Sequence, residues 1–378
     1  RRPPPGVPYA LPSSHVIADI GILISASHND YRYNGYKLSC GNGSQFDPEQ
    51  RDVMYDQYIA PAKIENVRLC PFAEAKSGKL ISLGGDERLS EFDYSGFSDH
   101  INIHQAHAEH VQQFLQTERQ QIADAKLNIG YCAFHGVGRK AVPRILTDVG
   151  FQAPMGVTHN GLNDLNGLFP SFESAPGKEQ QPDPGDARAA AIAMKAFDHD
   201  FPGKFDELDI LIGTDPDADR CGVVVKVPEE QKSVYGKDWV LLPADEMWAL
   251  LLWYRLHRQK VDGKVPEAET KFIVESHTTS DGIIRLAQKY GLGAIRTWVG
   301  FAALSAAVRD VWDGKPQKKI VDGKANPSDE LCDPFICDFF DMDNGSRSFN
   351  EAAMEQSNGF SLLGGKPKDD KSLGTDGH

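Results

Sequence analysis

The sequence predicts an α/β protein built from consecutive α/β domains, on three observations. Apolar runs of strand length alternate with helical patterns along the chain. Its 378 residues suit two or three domains of ordinary size. No segment recurs at a fixed period, which excludes a solenoid or a propeller.

The elements follow in order. Val16–Ser25 reads as a buried strand that runs into a polar loop, Ala26–Tyr33, and Tyr36–Ser39 as a second short strand. Asp47-Pro48 supplies an N-cap and a first-turn proline for a helix over Glu49–Ile59. Ser98–Ala123 predicts a long polar helix with His100, His104, His107 and His110 along one face, a solvated surface rather than a metal stripe. Leu127–Ala133 is a buried strand, and the loop His135–Gly138 leads to a helix over Lys140–Val149 whose start Pro143 can delay. Pro170–Gly185 reads as an exposed loop, Ala187–Phe197 as a helix, and Leu208–Gly213 and Cys221–Val227 as strands. A third set alternates: helix 244–258, strand Phe272–Glu275, helix Asp281–Tyr290, strand Ala294–Trp298 and helix Phe301–Val308. Residues 314–330 and 361–378 read as polar loop.

Composition narrows the function classes. A net charge of −14 argues against nucleic acid and anionic membranes as partners. No stretch reaches the ~18 apolar residues of a spanning helix; the apolar-rich Glu246–Leu256 is too short, and no signal peptide is evident. The cysteines Cys40, Cys70, Cys132, Cys221, Cys332 and Cys337 have no zinc or disulfide spacing, so reduced thiols and a cytoplasmic location are expected. The chain opens Arg-Arg-Pro-Pro-Pro and closes Gly-Thr-Asp-Gly-His, so both ends read as cut and a fragment is expected. Oligomeric state is not legible.

Two motifs carry chemistry. In Thr214-Asp215-Pro216-Asp217-Ala218-Asp219-Arg220 three carboxylates stand at alternate positions, which an extended loop points to one side. Converging carboxylates call for a cation, and hard oxygen donors favour Mg²⁺ or Ca²⁺. An EF-hand loop needs Gly sixth and Glu twelfth; here these are Arg220 and Lys226, and the flanks read as strands. A solvated acidic turn is the other reading. Three protein ligands leave room for a phosphate oxygen, which suggests phosphoryl chemistry. The second motif, Ser25-Ala26-Ser27-His28-Asn29-Asp30, places a hydroxyl just past a strand, where α/β sheets carry their sites. His28 is a catalytic or a structural residue on this reading. A phosphoserine at 27 would need a cation from Asp215, Asp217 and Asp219, and positive charge from Arg220 and Lys37.

Together these segments resemble the α-D-phosphohexomutases, the phosphoglucomutase and phosphomannomutase group. Ala26–Asn29 with Tyr33–Lys37 is similar to the family's phosphoserine loop, and Asp215–Arg220 with Cys221-Gly222-Val223 to its magnesium loop. Phe134–Gly138 resembles a loop of the phosphoglucomutase and phosphopentomutase branches, Thr297–Phe301 the third-domain T-x-V-G-F segment, and Glu355–Gly359 the sugar-binding loop. The five motifs occur in family order.

The resemblance implies mixed sheets around a central cleft, with three of the four family domains present. These are a truncated phosphoserine domain over 1–105, a domain over 106–228 ending in the metal loop, and one over 229–378 with the sugar loop. It implies an isomerase that shuttles phosphate between hexose 1- and 6-phosphate through phosphoserine 27 and a bisphosphate. One Mg²⁺ would sit on Ser27, Asp215, Asp217 and Asp219, and a glucose 1,6-bisphosphate-type compound would act as activator. Ser27, Lys37, His28 and Arg220 take the catalytic positions, Lys37 matching a lysine that assists proton transfer. Glu355, Ser357, Thr297 and Gly300 take the substrate positions.

Four departures qualify it. Ala302 stands where the family often has Lys, and Gln356 replaces the second acid of the sugar loop. Gly359 replaces the phosphomannomutase-type His, which favours a phosphoglucomutase-like reading and glucose phosphate, with phosphomannomutase and phosphopentomutase as alternatives. No Arg/Ser/Thr phosphate loop of a fourth domain is found. Weak or no turnover of this chain alone is therefore expected, with an inactive sugar-phosphate-binding homologue as the alternative.

Overall fold

The computed structural model describes residues 19–40, 45–46, 48–69, 81–84, 99–104, 108, 111–112, 115, 117–173, 177–261, 268–314, 336–342, 345–362 and 364–365. Four sheets organise them.

The first is a ribbon of β1 (Ile20–Ile24) and β2 (Tyr36–Cys40), antiparallel with Leu23 opposite Lys37. β1 was expected to be buried, and only Gly21 is. Among the described residues it pairs with β2 alone, and a two-stranded ribbon leaves its faces uncovered. Pro48–Met54 is helical, and a π-helical turn continues it over Tyr55–Ile59.

The long helix expected over 98–123 is not formed as such. Asp99–Asn102 is a strand, β4, parallel to β3 (Ile81–Gly84), so His100 lies on a strand. Helical backbone recurs at 104, 108, 111 and 112, and a helix runs over Arg119–Ala125. His107 and His110 lie outside the described residues. Parallel pairing with β3 outweighs the polar helical pattern here, a tertiary contact that local spacing does not encode.

The third sheet has the order β6-β5-β7-β8-β9, from β5 (Ile129–Cys132), β6 (Met155–Gly156), β7 (Ile210–Thr214), β8 (Cys221–Lys226) and β9 (Trp239–Leu241). β6, β5 and β7 are parallel; β8 is antiparallel to β7, and β9 antiparallel to β8. Every residue of β5 is buried, as a strand covered on both faces requires. Parallel neighbours need crossovers, and two helices, Gly138–Asp148 and Ala187–Asp200, supply them. The first starts two residues before the expected Lys140, with Pro143 inside it, so one backbone bond is given up. The second carries an alanine face, Ala189, Ala190, Ala193 and Ala196, which with Phe197 packs on Leu211 and Val224. Small side chains let the helix lie close to the sheet. The described residues of 170–185 form a loop, yet Phe172, Gln180, Pro182 and Pro184 are buried in it. Gly222 of β8 explains part of this: a Cβ there would lie 2.0 Å from the Pro184 carbonyl oxygen. Gly222→Ala is expected to cost about 1–3 kcal/mol, as overpacking against backbone does; urea unfolding measures it.

The fourth sheet has the order β12-β11-β10-β13-β14: β10 (Lys271–Ser276), β11 (Gly293–Thr297), β12 (Ile336–Phe340), β13 (Phe349–Glu355) and β14 (Gly359–Ser361). β10 is parallel to both β11 and β13; β12 and β14 are antiparallel edges. Alternation along β10 divides the core into two layers. Ile273 faces the helices Ala244–Val261 and Asp281–Lys289, while Phe272 and Val274 face Phe301–Trp312. Leu304, fully buried in the second layer, is expected to cost about 2–5 kcal/mol when cut to alanine; the shift of the urea midpoint reports it. β10 also carries a buried cation: Lys271 Nζ donates to Glu351 Oε2 of β13 at 2.5 Å and to Gln259 Oε1 at 2.6 Å. Residues 315–335 and 366–378 lie outside the described residues, and most of the two expected polar loops with them.

Candidate functional site

The loop after β1 is closed by Ser25 N–H donating to the Gly35 carbonyl at 3.1 Å. Within it Ser27 adopts φ 54°, a left-handed conformation that a non-glycine residue holds only with support. Ser25 supplies it. Its Oγ accepts from Ser27 N–H at 2.8 Å and donates to Asp217 Oδ2 at 2.7 Å. The Ser27 hydroxyl then donates to Asp215 Oδ2 at 2.6 Å and lies 3.3 Å from His28 Nδ1. Lys37 on β2 reaches Asp219 Oδ2 at 2.5 Å and Asp217 Oδ2 at 3.2 Å. The early hydroxyl and the acidic triplet, separated by 188 positions, are in contact.

The acidic loop is the connection of the β7–β8 hairpin, where Thr214 pairs with Cys221. Ala218 turns through φ 60°, and Arg220 N–H donates to Asp215 Oδ1 at 3.0 Å. The 134–138 loop braces it from outside: Val137 N–H donates to the Pro216 carbonyl at 2.9 Å, and a Cβ on Gly136 would lie 2.5 Å from Pro216 Cα. Asp215 is wholly buried. Burial first, then the charges of Asp219 and Asp217, push its carboxyl up to about 9. Asp217 is held down to about 2: burial opposes this, but bonds from Asp215, Lys37 and Ser25 prevail. Burial alone would lower Lys37, and Asp219 and Asp217 instead raise it above the usual ammonium range.

These groups fit a divalent cation. One oxygen from each of Asp215, Asp217 and Asp219 lies within 4.8 Å of the others. Asp217 Oδ1 and Asp219 Oδ1 are buried with no hydrogen-bond partner among the described residues. Anionic oxygens in that state are costly unless a cation faces them.

His28 and Arg220 converge on a residue the sequence did not single out. Asp183 Oδ2 lies 3.8 Å from His28 Nε2 and 3.7 Å from Arg220 Nη1. Burial and the Arg220 charge hold the His28 imidazole below its ordinary value. Asp183 went unnoticed because it sits in a stretch rich in loop-forming residues; the Asp183-Pro184-Gly185-Asp186 turn before a helix was its one signal. Asp30, a neighbour of the serine motif, is buried as well. Its carboxylate takes Arg32 Nε at 2.6 Å and Gln180 N–H at 3.0 Å, tying the serine loop to the 177–181 segment. Against the walls of this loop lies an open cleft of about 470 Å³, lined in part by Ser27, Asn29, His135, Asn166 and Asp217.

The expected substrate residues form a second group. Glu355 ends β13; its Oε2 accepts from Gly300 N–H at 2.9 Å, and its Oε1 accepts from the Ser357 hydroxyl. Thr297 stands apart in function of its side chain, since its hydroxyl donates to the Trp298 carbonyl at 2.8 Å and the residue is fully buried. Gln356 is exposed. Asn358, buried and at φ 68°, donates from Nδ2 to the Cys221 carbonyl at 2.9 Å, so the 355–359 loop is fastened to the first residue after the acidic loop.

Comparison with known proteins agrees in kind. Residues 105–228 match the family model described as phosphoglucomutase/phosphomannomutase, alpha/beta/alpha domain II, and residues 2–65 the model of domain I. A phosphoglucomutase of Staphylococcus haemolyticus is 26% identical over 294 residues, 78% of this chain and 45% of that protein. A human phosphopentomutase is 25% identical over 344 residues, 89% of this chain and 48% of that protein. A crystal structure of a phosphoglucomutase/phosphomannomutase family protein from Burkholderia thailandensis superimposes with TM-score 0.53 at 16% identity, over 98% of this chain and 56% of that one. This last likeness is one of fold. The chain spans about half the length of the curated relatives it matches.

Proposed function

We propose, from the premise that this chain belongs to the phosphoglucomutase/phosphomannomutase family, that the whole protein moves a phosphoryl group between two oxygens of one sugar phosphate, with Ser27 as carrier. The observation that carries this reading is the 2.6 Å contact of Ser27 Oγ with Asp215 inside a triplet of carboxylates, two of which, Asp217 and Asp219, keep a buried oxygen without a hydrogen bond among the described residues. Asp215, Asp217, Asp219 and the Ser27 oxygen would hold Mg²⁺, which when bound offsets negative charge on the transferring group.

The chain's own residues account for the remainder. In the forward step the bond between phosphorus and Ser27 Oγ breaks, a bond forms to the free hydroxyl of the sugar monophosphate, and the proton of that hydroxyl ends on the released Ser27 Oγ. The Ser25 bridge fixes the Ser27 backbone against the acidic loop, which sets Oγ beside Asp215. Lys37 is an ammonium in this arrangement, so it acts as fixed positive charge beside the transferring oxygens. Its proton-shuttle role requires Asp217 and Asp219 to be engaged elsewhere. Arg220, steadied by Asp183, adds a second positive group. Glu355 and Ser357 present acceptor and hydroxyl to two adjacent sugar hydroxyls, as a carboxylate and a serine can. Return transfer of the other phosphate to Ser27 completes the isomerisation.

Glucose phosphate is the substrate we assign, because Gly359 stands where phosphomannomutase-type loops place His, and the space a side chain would need there is taken: a Cβ would lie 2.3 Å from Phe301 Cε2. Mannose and pentose phosphates are the competitors, and the relatives' names include all three classes. Ala302, where a family lysine is common, favours the second reading of a homologue that binds sugar phosphate without turnover. Incubating the whole protein with glucose 1,6-bisphosphate and Mg²⁺, then measuring peptide masses, tests the assignment. One phosphoryl group on the Ser27 peptide is the expected result; an unmodified peptide would refute the carrier role. A panel of glucose, mannose and ribose phosphates then ranks the substrates.

A further inference from the structure

Among the described residues, one other set of ligand-type side chains closes to coordinating range: His159, His199 and Asp200, with one donor atom from each within 4.8 Å of the others. We propose that His159 and His199, oriented by Asp200, form a second metal site that takes a borderline transition-metal cation such as Zn²⁺, distinct from the all-oxygen site at Asp215–Asp219.

Asp200 ends the helix Ala187–Asp200, and His159 opens a short turn just past β6. The Asp200 carboxylate joins the two. Its Oδ2 accepts from Thr158 N–H at 2.6 Å, Thr158 Oγ1 at 3.0 Å and His159 N–H at 2.8 Å, which fixes the His159 backbone against the helix end. Its Oδ1 lies 3.2 Å from His199 Nδ1. A proton on that Nδ1 donates to the carboxylate and leaves the lone pair on Nε2, the usual device by which a carboxylate orients a metal-binding imidazole. The two rings lie beside each other, centroids 3.7 Å apart and planes inclined by 30°. Their lone pairs are therefore not yet convergent. Asp200 holds His159 by its backbone N–H, so the broad torsion of the His159 ring allows the turn that brings the two nitrogens onto one ion while His199 keeps its contact with Asp200.

Position and donor type both favour a cation of this class. His199 lies in the last helical turn, where the backbone carbonyls attract positive charge. Imidazole donors select zinc, nickel or copper over magnesium, which prefers an octahedron of oxygens. The two clusters would thus sort ions by ligand chemistry, and an ion between His159 and His199 would clamp the turn after β6 to the helix that crosses the sheet.

The experiment is a calorimetric titration of the chain with zinc chloride, in excess Mg²⁺ to occupy the acidic loop and with accessible thiols alkylated. It reads zinc binding alone and is independent of any phosphoryl transfer. The expected result is one Zn²⁺ per chain, with affinity reduced at least about tenfold in His199→Ala and in His159→Ala and unchanged in Asp219→Asn. Asp200→Asn still caps the turn through its amide oxygen but loses the imidazole acceptor, and is expected to weaken zinc about 10–100-fold. Absence of zinc binding in the parent chain, unchanged binding in both histidine variants, or loss confined to Asp219→Asn would each overturn the proposal.

Discussion

Ser27→Ala in the whole protein is expected to abolish the phosphoserine and to lower sugar-phosphate isomerisation by about 10⁴-fold or more, the scale on which removal of a nucleophile acts. The alanine has no oxygen to accept the phosphoryl group, and Asp215 loses its 2.6 Å donor. Because position 27 holds φ 54°, alanine also carries backbone strain there, so Ser27→Gly is the better control. Glycine adopts that conformation freely and should fold as well as the parent while remaining equally inactive. Peptide masses after incubation with glucose 1,6-bisphosphate, read beside the melting temperature, separate lost chemistry from lost structure. Substantial turnover in either variant would move the carrier role to another residue.

Asp217→Asn is the second large effect. One of its oxygens takes Ser25 and Lys37, while the other is buried with no partner among the described residues and faces the position we assign to the cation. An amide keeps one acceptor but removes a charge from the cation's shell. Mg²⁺ affinity is expected to fall at least about 10–100-fold, since even outer-shell changes at metal sites have that effect. Calorimetry with Mg²⁺ on the chain itself reads this without any assay of transfer. Phosphorylation of Ser27 should then require a correspondingly higher Mg²⁺ concentration, and unaltered Mg²⁺ affinity would remove Asp217 from the cation's ligands.

The central parts of the fold were legible because they are periodic. β5, β7 and β8 are short apolar runs bounded by polar turns, and the helices Asp281–Lys289 and Phe301–Trp312 keep their apolar positions on one side. The acidic triplet was legible because three aspartates at alternate positions need a reason. Three features were not. β1 has the composition of a buried strand, and composition does not say how many neighbours a strand finds. The histidines of 98–123 share helical spacing, but spacing does not reveal that Asp99–Asn102 pairs with Ile81–Gly84 as a parallel strand. β13, the strand beside β10, reads Phe-Asn-Glu-Ala-Ala-Met-Glu, rich in helix formers, and is a strand only because tertiary packing overrides propensity. At the site, Asp183 and the Ser25 bridge were invisible because both depend on long-range approach: Ser25 meets Asp217 across 192 positions.

The central place of β10 bears on how the polypeptide emerges from the ribosome. Its neighbour β13 supplies Glu351, 80 positions downstream of Lys271. Until that stretch has been synthesised, one edge of β10 is open and its ammonium lacks its counter-charge, which disfavours early burial. A nascent chain halted before residue 349 would expose a half-built, association-prone edge. Chaperone demand should therefore peak late in translation of this domain, and fall once β13 and β14 have been released from the exit tunnel.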